Sequence, residues 1–118
     1  MRDSTSEMLR LSRLLEEALN ELRSQSQEAA KAEHSYRLSR AKAWLHVDKL
    51  HDGQKRLAAE IEADVDALTA DLRYSRDLAD GLRQAALEAV RSRRQQLSAW
   101  QSWMAADRAE AEFARTAP

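Results

Sequence analysis

The sequence contains no cysteine, two glycines and one proline, and the proline is the last residue. Without thiols there are no disulfides, thiolate metal sites or cysteine nucleophiles, which suits a reducing compartment. With no internal proline, nothing inside the chain forbids helix. The two glycines, Gly53 and Gly81, are too far apart to build a GxGxxG or Walker phosphate loop. Aromatics make up only 5% of the residues, too few for a thick sheet-protein core. No single sign of charge dominates: 19 Lys and Arg face 20 Asp and Glu, a formal net charge of −1. No global field therefore draws the chain to nucleic acid or to an anionic membrane. No uncharged apolar run approaches the roughly 20 residues needed to cross a bilayer. Met1-Arg2-Asp3-Ser4 lacks the apolar core of a signal peptide. These absences predict a soluble, cytoplasmic protein without membrane contact.

What remains is a chain rich in Ala, Leu, Glu, Arg and Gln, all strong helix formers. At 118 residues it fits a single domain. Ser4 and Glu7 have the spacing of a capping box, which places the start of helix 1 near Ser4. A seam then advances in steps of three and four: Met8, Leu11, Leu15, Ala18, Leu22, Gln25, Ala29, Ala32, Tyr36, Ser39, Ala43, His46 and Leu50. Such spacing keeps the side chains on one helix face.

The interior turn signal is His51-Asp52-Gly53, where Gly53 can end one helix and Asp52 can cap the next. The predicted helix 2 runs from about Gln54 to about Ala114. Its seam is Leu57, Ile61, Val65, Leu68, Leu72, Ser75, Ala79, Leu82, Ala86, Val90, Arg93, Leu97, Trp100 and Met104. Arg115 to Pro118 reads as a frayed tail. Gly81, which costs about 1 kcal/mol relative to alanine in a helix interior, permits a kink and a three-helix arrangement.

The expected fold is all-α: one helical-hairpin domain spanning 1–118, with helix 1 over about 4–50, a turn at 51–53, helix 2 over about 54–114, and coiled-coil-like antiparallel pairing. Charge fixes the direction. Folding about Asp52-Gly53 sets Arg37, Arg40 and Lys42 beside Glu60, Glu62, Asp64 and Asp66. It also sets Glu17, Glu21, Glu28 and Glu33 beside Arg73, Arg76 and Arg83. Opposite signs meet in both blocks, which selects register more than it stabilises.

Candidate chemistry is sparse. His34, His46 and His51 cannot share one helix face, and neither a di-iron Glu-x-x-His pair nor a His-Glu-x-x-His motif occurs. No serine sits in a nucleophile elbow, and a bare hairpin supplies no water-excluding pocket. The reading is a non-enzyme with no cofactor, no metal and no small-molecule substrate.

Binding surfaces are better marked. Trp100, Trp103 and Phe113 crowd the open end, where helix 2 outruns helix 1. Leu38, Trp44 and Leu45 add apolar surface near the tip. Tryptophan is enriched at interaction hot spots because it buries a large rigid surface. Met8 and Leu11 could instead cover Trp100 and Trp103 inside the hairpin. Apolar surface beyond what one seam can bury points to a homo-oligomer and a protein partner. A competing reading takes Arg91, Arg93 and Arg94, supported by Arg83, as a phosphate-tracking patch for DNA or RNA.

Three segments resemble small helical accessory proteins encoded by tailed bacteriophages and prophages. They are Ala32-Glu33-His34-Ser35-Tyr36-Arg37, then Ala89-Val90-Arg91-Ser92-Arg93-Arg94-Gln95-Gln96-Leu97-Ser98-Ala99-Trp100-Gln101-Ser102, and Arg108-Ala109-Glu110-Ala111-Glu112-Phe113. Trp100 stands where the group pattern has leucine. The resemblance implies a phage accessory factor acting in the host cytoplasm beside recombination and replication proteins. It implies no catalytic residue. A phage or host protein is then the expected partner, and inhibition of a host protein is an alternative role.

Overall fold

The computed structural model describes residues 4–50 and 57–117. Among them the fold is all-α: α1 (Ser4–Leu50) and α2 (Ala58–Thr116) pack against each other as an antiparallel two-helix hairpin. The expected corner at His51-Asp52-Gly53, and Gln54 to Arg56 of the expected helix 2, lie outside the described residues. Contacts divide the chain into two compact units, residues 23–84 and residues 1–22 with 85–118.

In the unit of residues 23–84, Ala43 and Val47 from α1 meet Val65 from α2, and Ile61 packs against them. Val65 is fully buried and Val47 is 2% exposed. Each fully buried aliphatic side chain is worth about 1.5–3 kcal/mol, so this small cluster is the main apolar clamp of the unit. Tyr36 and Thr69 are also buried. The Thr69 hydroxyl donates to the Val65 carbonyl at 2.8 Å, so the buried polar group is satisfied within its own helix.

Some of the charge pairings that the sequence singles out form across the antiparallel helices. Arg40 donates to Asp66 at 2.6 Å and to Glu62 at 3.4 Å. Arg76 approaches Glu33 at 3.7 Å. Arg37, Glu28 and Arg83 from the expected cross-helix blocks also bond along their own helix. Arg37 bonds Glu33, Lys31 bonds Glu28 and Arg83 bonds Asp80, the i,i+3 and i,i+4 contacts that suit long surface helices.

In the unit of residues 1–22 with 85–118, Leu11, Ala86 and Val90 are buried. Met8, Leu15, Ala18, Leu22, Leu97, Trp100 and Met104 are half-buried around them. Every residue from Ala105 to Ala117 is exposed, the overhang expected where α2 outruns α1.

Several seam assignments need correction. His46 and Leu50 are exposed, and Val47 takes the inward position. Leu57 precedes α2 rather than lying in it and is 71% exposed; its carbonyl accepts the amides of Glu60 and Ile61. Leu68, Leu72 and Leu82 are exposed, and Ser75 with them, while Thr69, Arg76 and Arg83 turn toward the partner helix. The physical reason lies in α1. Its facing stretch is small or polar (Ser26, Ala29, Ala30, Glu33), and those residues line a groove with Arg76, Asp77, Asp80 and Arg83. Glu33 and Tyr36 engage an arginine there better than a leucine.

α2 continues as one helix through Gly81 to Thr116, so a third helix does not form among the described residues. The expected frayed tail is helical at Arg115 and Thr116. The Thr116 hydroxyl donates to the Glu112 and Phe113 carbonyls.

Candidate functional site

The aromatic end belongs to the unit of residues 1–22 with 85–118. Trp100 and Trp103 sit one helical turn apart, so their rings fall on neighbouring sides of α2. The ring centroids are 5.4 Å apart with planes tilted by 47°, within the range of favourable aromatic pairs. Trp100 is half-buried, and Trp103 is 62% exposed. The competing sequence readings thus divide between the two residues: α1 covers Trp100, whereas Trp103 remains open.

Two open grooves meet at Trp100. One, of ≈ 510 Å³, is lined by Glu7, Arg10, Leu11, Arg93, Gln96, Ala99, Trp100 and Trp103. The other, of ≈ 220 Å³, is lined by Ser4, Thr5, Met8, Leu9, Trp100, Met104 and Arg108. Leu9, 60% exposed, extends the apolar surface on α1. The Trp100 Nε1–H is buried with no hydrogen-bond partner among the described residues. An unpaired buried donor of this kind is rare in folded proteins and costly.

Charge frames the larger groove. Arg10 holds Glu7 through two contacts, at 2.6 and 3.1 Å. That hydrogen bond, more than the general attraction of the carboxylate, raises the Arg10 guanidinium above its ordinary range. Arg93 donates to Gln96 at 3.0 Å. The groove therefore combines indole surface with Arg93 and the Arg10–Glu7 ion pair.

The remaining expected site residues are dispersed. Phe113 is 75% exposed but stands about 15 Å along the axis from Trp103, so it does not join the tryptophan pair. Leu38, Trp44 and Leu45 lie in the other unit and are 47%, 37% and 68% exposed. Leu38 and Leu45, two turns apart, share the outer face of α1, and Trp44 is turned about 100° from Leu45. Among the arginines, Arg91 bonds Glu88 at 2.6 Å, and Arg83 bonds Asp80 at 2.9 Å in the other unit. Arg91 and Arg93 lie on different sides of α2, because two residues turn a helix by about 200°. Arg94 is exposed and makes no ion pair among the described residues.

His34 and His46 are both exposed, and His51 lies outside the described residues. No cluster of three or more His, Cys, Asp or Glu side chains able to hold a metal occurs among the described residues. Among them, too, no helix is long and apolar enough to cross a membrane.

Sequence reasoning missed one surface. Leu68, Leu72, Leu78 and Leu82 form an exposed apolar row on α2, with the exposed Tyr74 on the flank beside Leu78. Heptad spacing places Leu68, Leu72 and Leu82 in the interior seam and gives Tyr74 and Leu78 no role. The signal was present as i,i+4 pairs, Leu68 with Leu72, Tyr74 with Leu78 and Leu78 with Leu82.

No protein-family model, curated protein or solved structure matches this chain.

Proposed function

We propose that the protein is a helical adaptor, not an enzyme, that docks a partner protein through the Trp100–Trp103 end and associates with itself. The observation that carries the reading is Trp103, 62% exposed beside the half-covered Trp100. A large rigid aromatic left in water beside open grooves is the kind of anchor that dominates protein interfaces. The grooves at Trp100 are open to solvent, which favours docking of a side chain over enclosed chemistry. Arg10 is already paired with Glu7, so Arg93, which bonds the neutral Gln96, is the cation beside the indoles that favours a partner segment with an acidic residue next to an apolar anchor. The resemblance of residues 89–102 to phage helical proteins suggests a phage accessory factor in the host cytoplasm, with a phage or host protein as partner. Inhibition of a host protein would use the same surface.

The test is affinity capture from host lysate with the wild-type chain and with Trp103→Ala. Loss of about 2 kcal/mol, roughly a 30-fold weakening of a specific partner, is expected for a hot-spot tryptophan. Equal capture by both chains would remove Trp103 from the interface. A captured partner that is nuclease-sensitive and lost in moderate salt would favour DNA or RNA binding through Arg91, Arg93 and Arg94 instead.

A further inference from the structure

The exposed leucines of α2 are arranged symmetrically. Leu68, Leu72, Ser75, Leu78 and Leu82 are separated by steps of four, three, three and four, so the row reads the same in both directions about Ser75. At 100° per residue the four leucines fall within about 120° of one another, the width of a stripe that needs a partner. They are 58%, 37%, 52% and 48% exposed, and Tyr74 at the margin is 70% exposed.

From this spacing we infer that α2 is the contact of a two-fold symmetric dimer, in which a second copy lays its own α2 antiparallel across the first with Ser75 on the axis. Leu68 then meets the second copy's Leu82, and Leu72 meets its Leu78. In an isologous contact, residue i touches j while j touches i, and a palindromic row satisfies that condition with leucine at all four outer positions. Ser75 is small, so the helices approach closely where they cross. Asp71 is the charged residue on this face, and the symmetry sets it opposite Ala79 rather than opposite another carboxylate.

The area supports a second copy of modest affinity. The exposed parts of the four leucines and Tyr74 come to roughly 500 Å² on each copy. Complete coverage of that surface would bury about 1,000 Å² per pair, the lower bound of a specific interface, so the dimer dissociates on dilution. This inference rests on the self-association part of the proposed function. It uses none of the aromatic end.

The chain has no cysteine, so single cysteines report geometry cleanly. In the full chain, Ser75→Cys should be joined to a second copy by a short bismaleimide. Leu68→Cys alone should not, because two such residues lie about 21 Å apart along an antiparallel pair. A mixture of Leu68→Cys and Leu82→Cys should give the mixed dimer. Sedimentation equilibrium should show monomer and dimer in exchange, with Leu78→Asp weakening the dimer at least about tenfold by removing a leucine from the contact and adding a like charge near the second copy's Asp71. Leu45→Asp, on α1, should leave it unchanged.

A monomer at every concentration, or cross-linking of Leu68→Cys as readily as Ser75→Cys, overturns the inference. A dimer abolished by Trp103→Ala but not by Leu78→Asp overturns it as well, while leaving self-association intact. Loss of partner capture by Trp103→Ala with the dimer preserved shows that the two surfaces act separately.

Discussion

The guanidinium of Arg76 lies over the ring of Tyr36, 4.4 Å from its centroid. This contact joins the two helices at a point where the heptad spacing places Ser75 and Ala79 in the seam. It turns a polar side of α2 toward α1, with Glu33 at 3.7 Å and Asp77 at 2.9 Å completing the cation's surroundings. Bonding to Asp77 is the main reason the Arg76 guanidinium is held above its ordinary range. Arg76→Ala should lower the thermal midpoint, and Arg76→Lys should recover only part of it, because lysine lacks the planar face that stacks on an aromatic ring. Equal midpoints for the wild type and Arg76→Ala would show the stack to be incidental.

The apolar clamp gives a larger effect. Val65→Ala removes two fully buried methyl-sized groups and leaves a space that the helices cannot close fully. A loss of about 2–3 kcal/mol is expected, read from the midpoint of urea unfolding. Thr69→Val, at the neighbouring buried position, should change stability by no more than about 0.5 kcal/mol, since the Val65 carbonyl keeps its helical amide bond when the hydroxyl is lost.

Gly81 is exposed inside a continuous helix, and an added Cβ there meets nothing within 4 Å. Gly81→Ala should therefore stabilise the protein by about 0.5–1 kcal/mol, through the smaller backbone entropy lost on folding. Destabilisation would mean that the glycine serves a bend or a close contact absent from this state.

Salt, not pH, should tune the Arg40 contact. Its hydrogen bond to Asp66 is the leading reason the Arg40 guanidinium lies above its ordinary value, with burial opposing. Folding raises this pKa, so the contribution is complete below the unfolded-state pKa and is lost only as pH rises through the folded value. Both lie well above pH 10, so Arg40 titration contributes no pH dependence between about pH 6 and pH 10. Raising salt from about 0.1 M to 1 M shortens the screening length. The stability difference between the wild type and Arg40→Gln should shrink accordingly in thermal melts at the two salt concentrations.

The two tryptophans should separate by role. Trp100→Ala removes a half-covered ring beside Met8 and Leu11 and should cost stability as well as binding. Trp103→Ala should leave the unfolding midpoint within about 0.5 kcal/mol of the wild type, as most exposed substitutions do, and act on partner capture alone. Circular dichroism melts of the two variants distinguish these outcomes.

Much of α1 was legible because its seam alternates clear apolar and small residues. Met8, Leu11, Leu15, Ala18, Leu22, Ala29, Ala32, Tyr36 and Ala43 all turn inward or partly inward. The pairing direction was legible too, through Arg40 with Glu62 and Asp66. α2 was harder to read in its middle. Heptad spacing chose Leu68 and Leu72, whereas Thr69 and Arg76 face α1. A helix offers two adjacent stripes about 40–100° apart, and spacing alone does not say which one a partner takes.

The composition by itself determined that this chain is helical, because internal proline is absent and strong helix formers fill most positions. The alternation of charge blocks determined that the halves pair antiparallel. Only the tertiary structure decided which stripe of α2 is spent on α1 and which is left in water. The reason is that an ion pair or a stacked guanidinium can outcompete a leucine only where the facing residues supply an acid and a ring, and that choice is made across space, between Glu33, Tyr36 and Arg76, not along the chain.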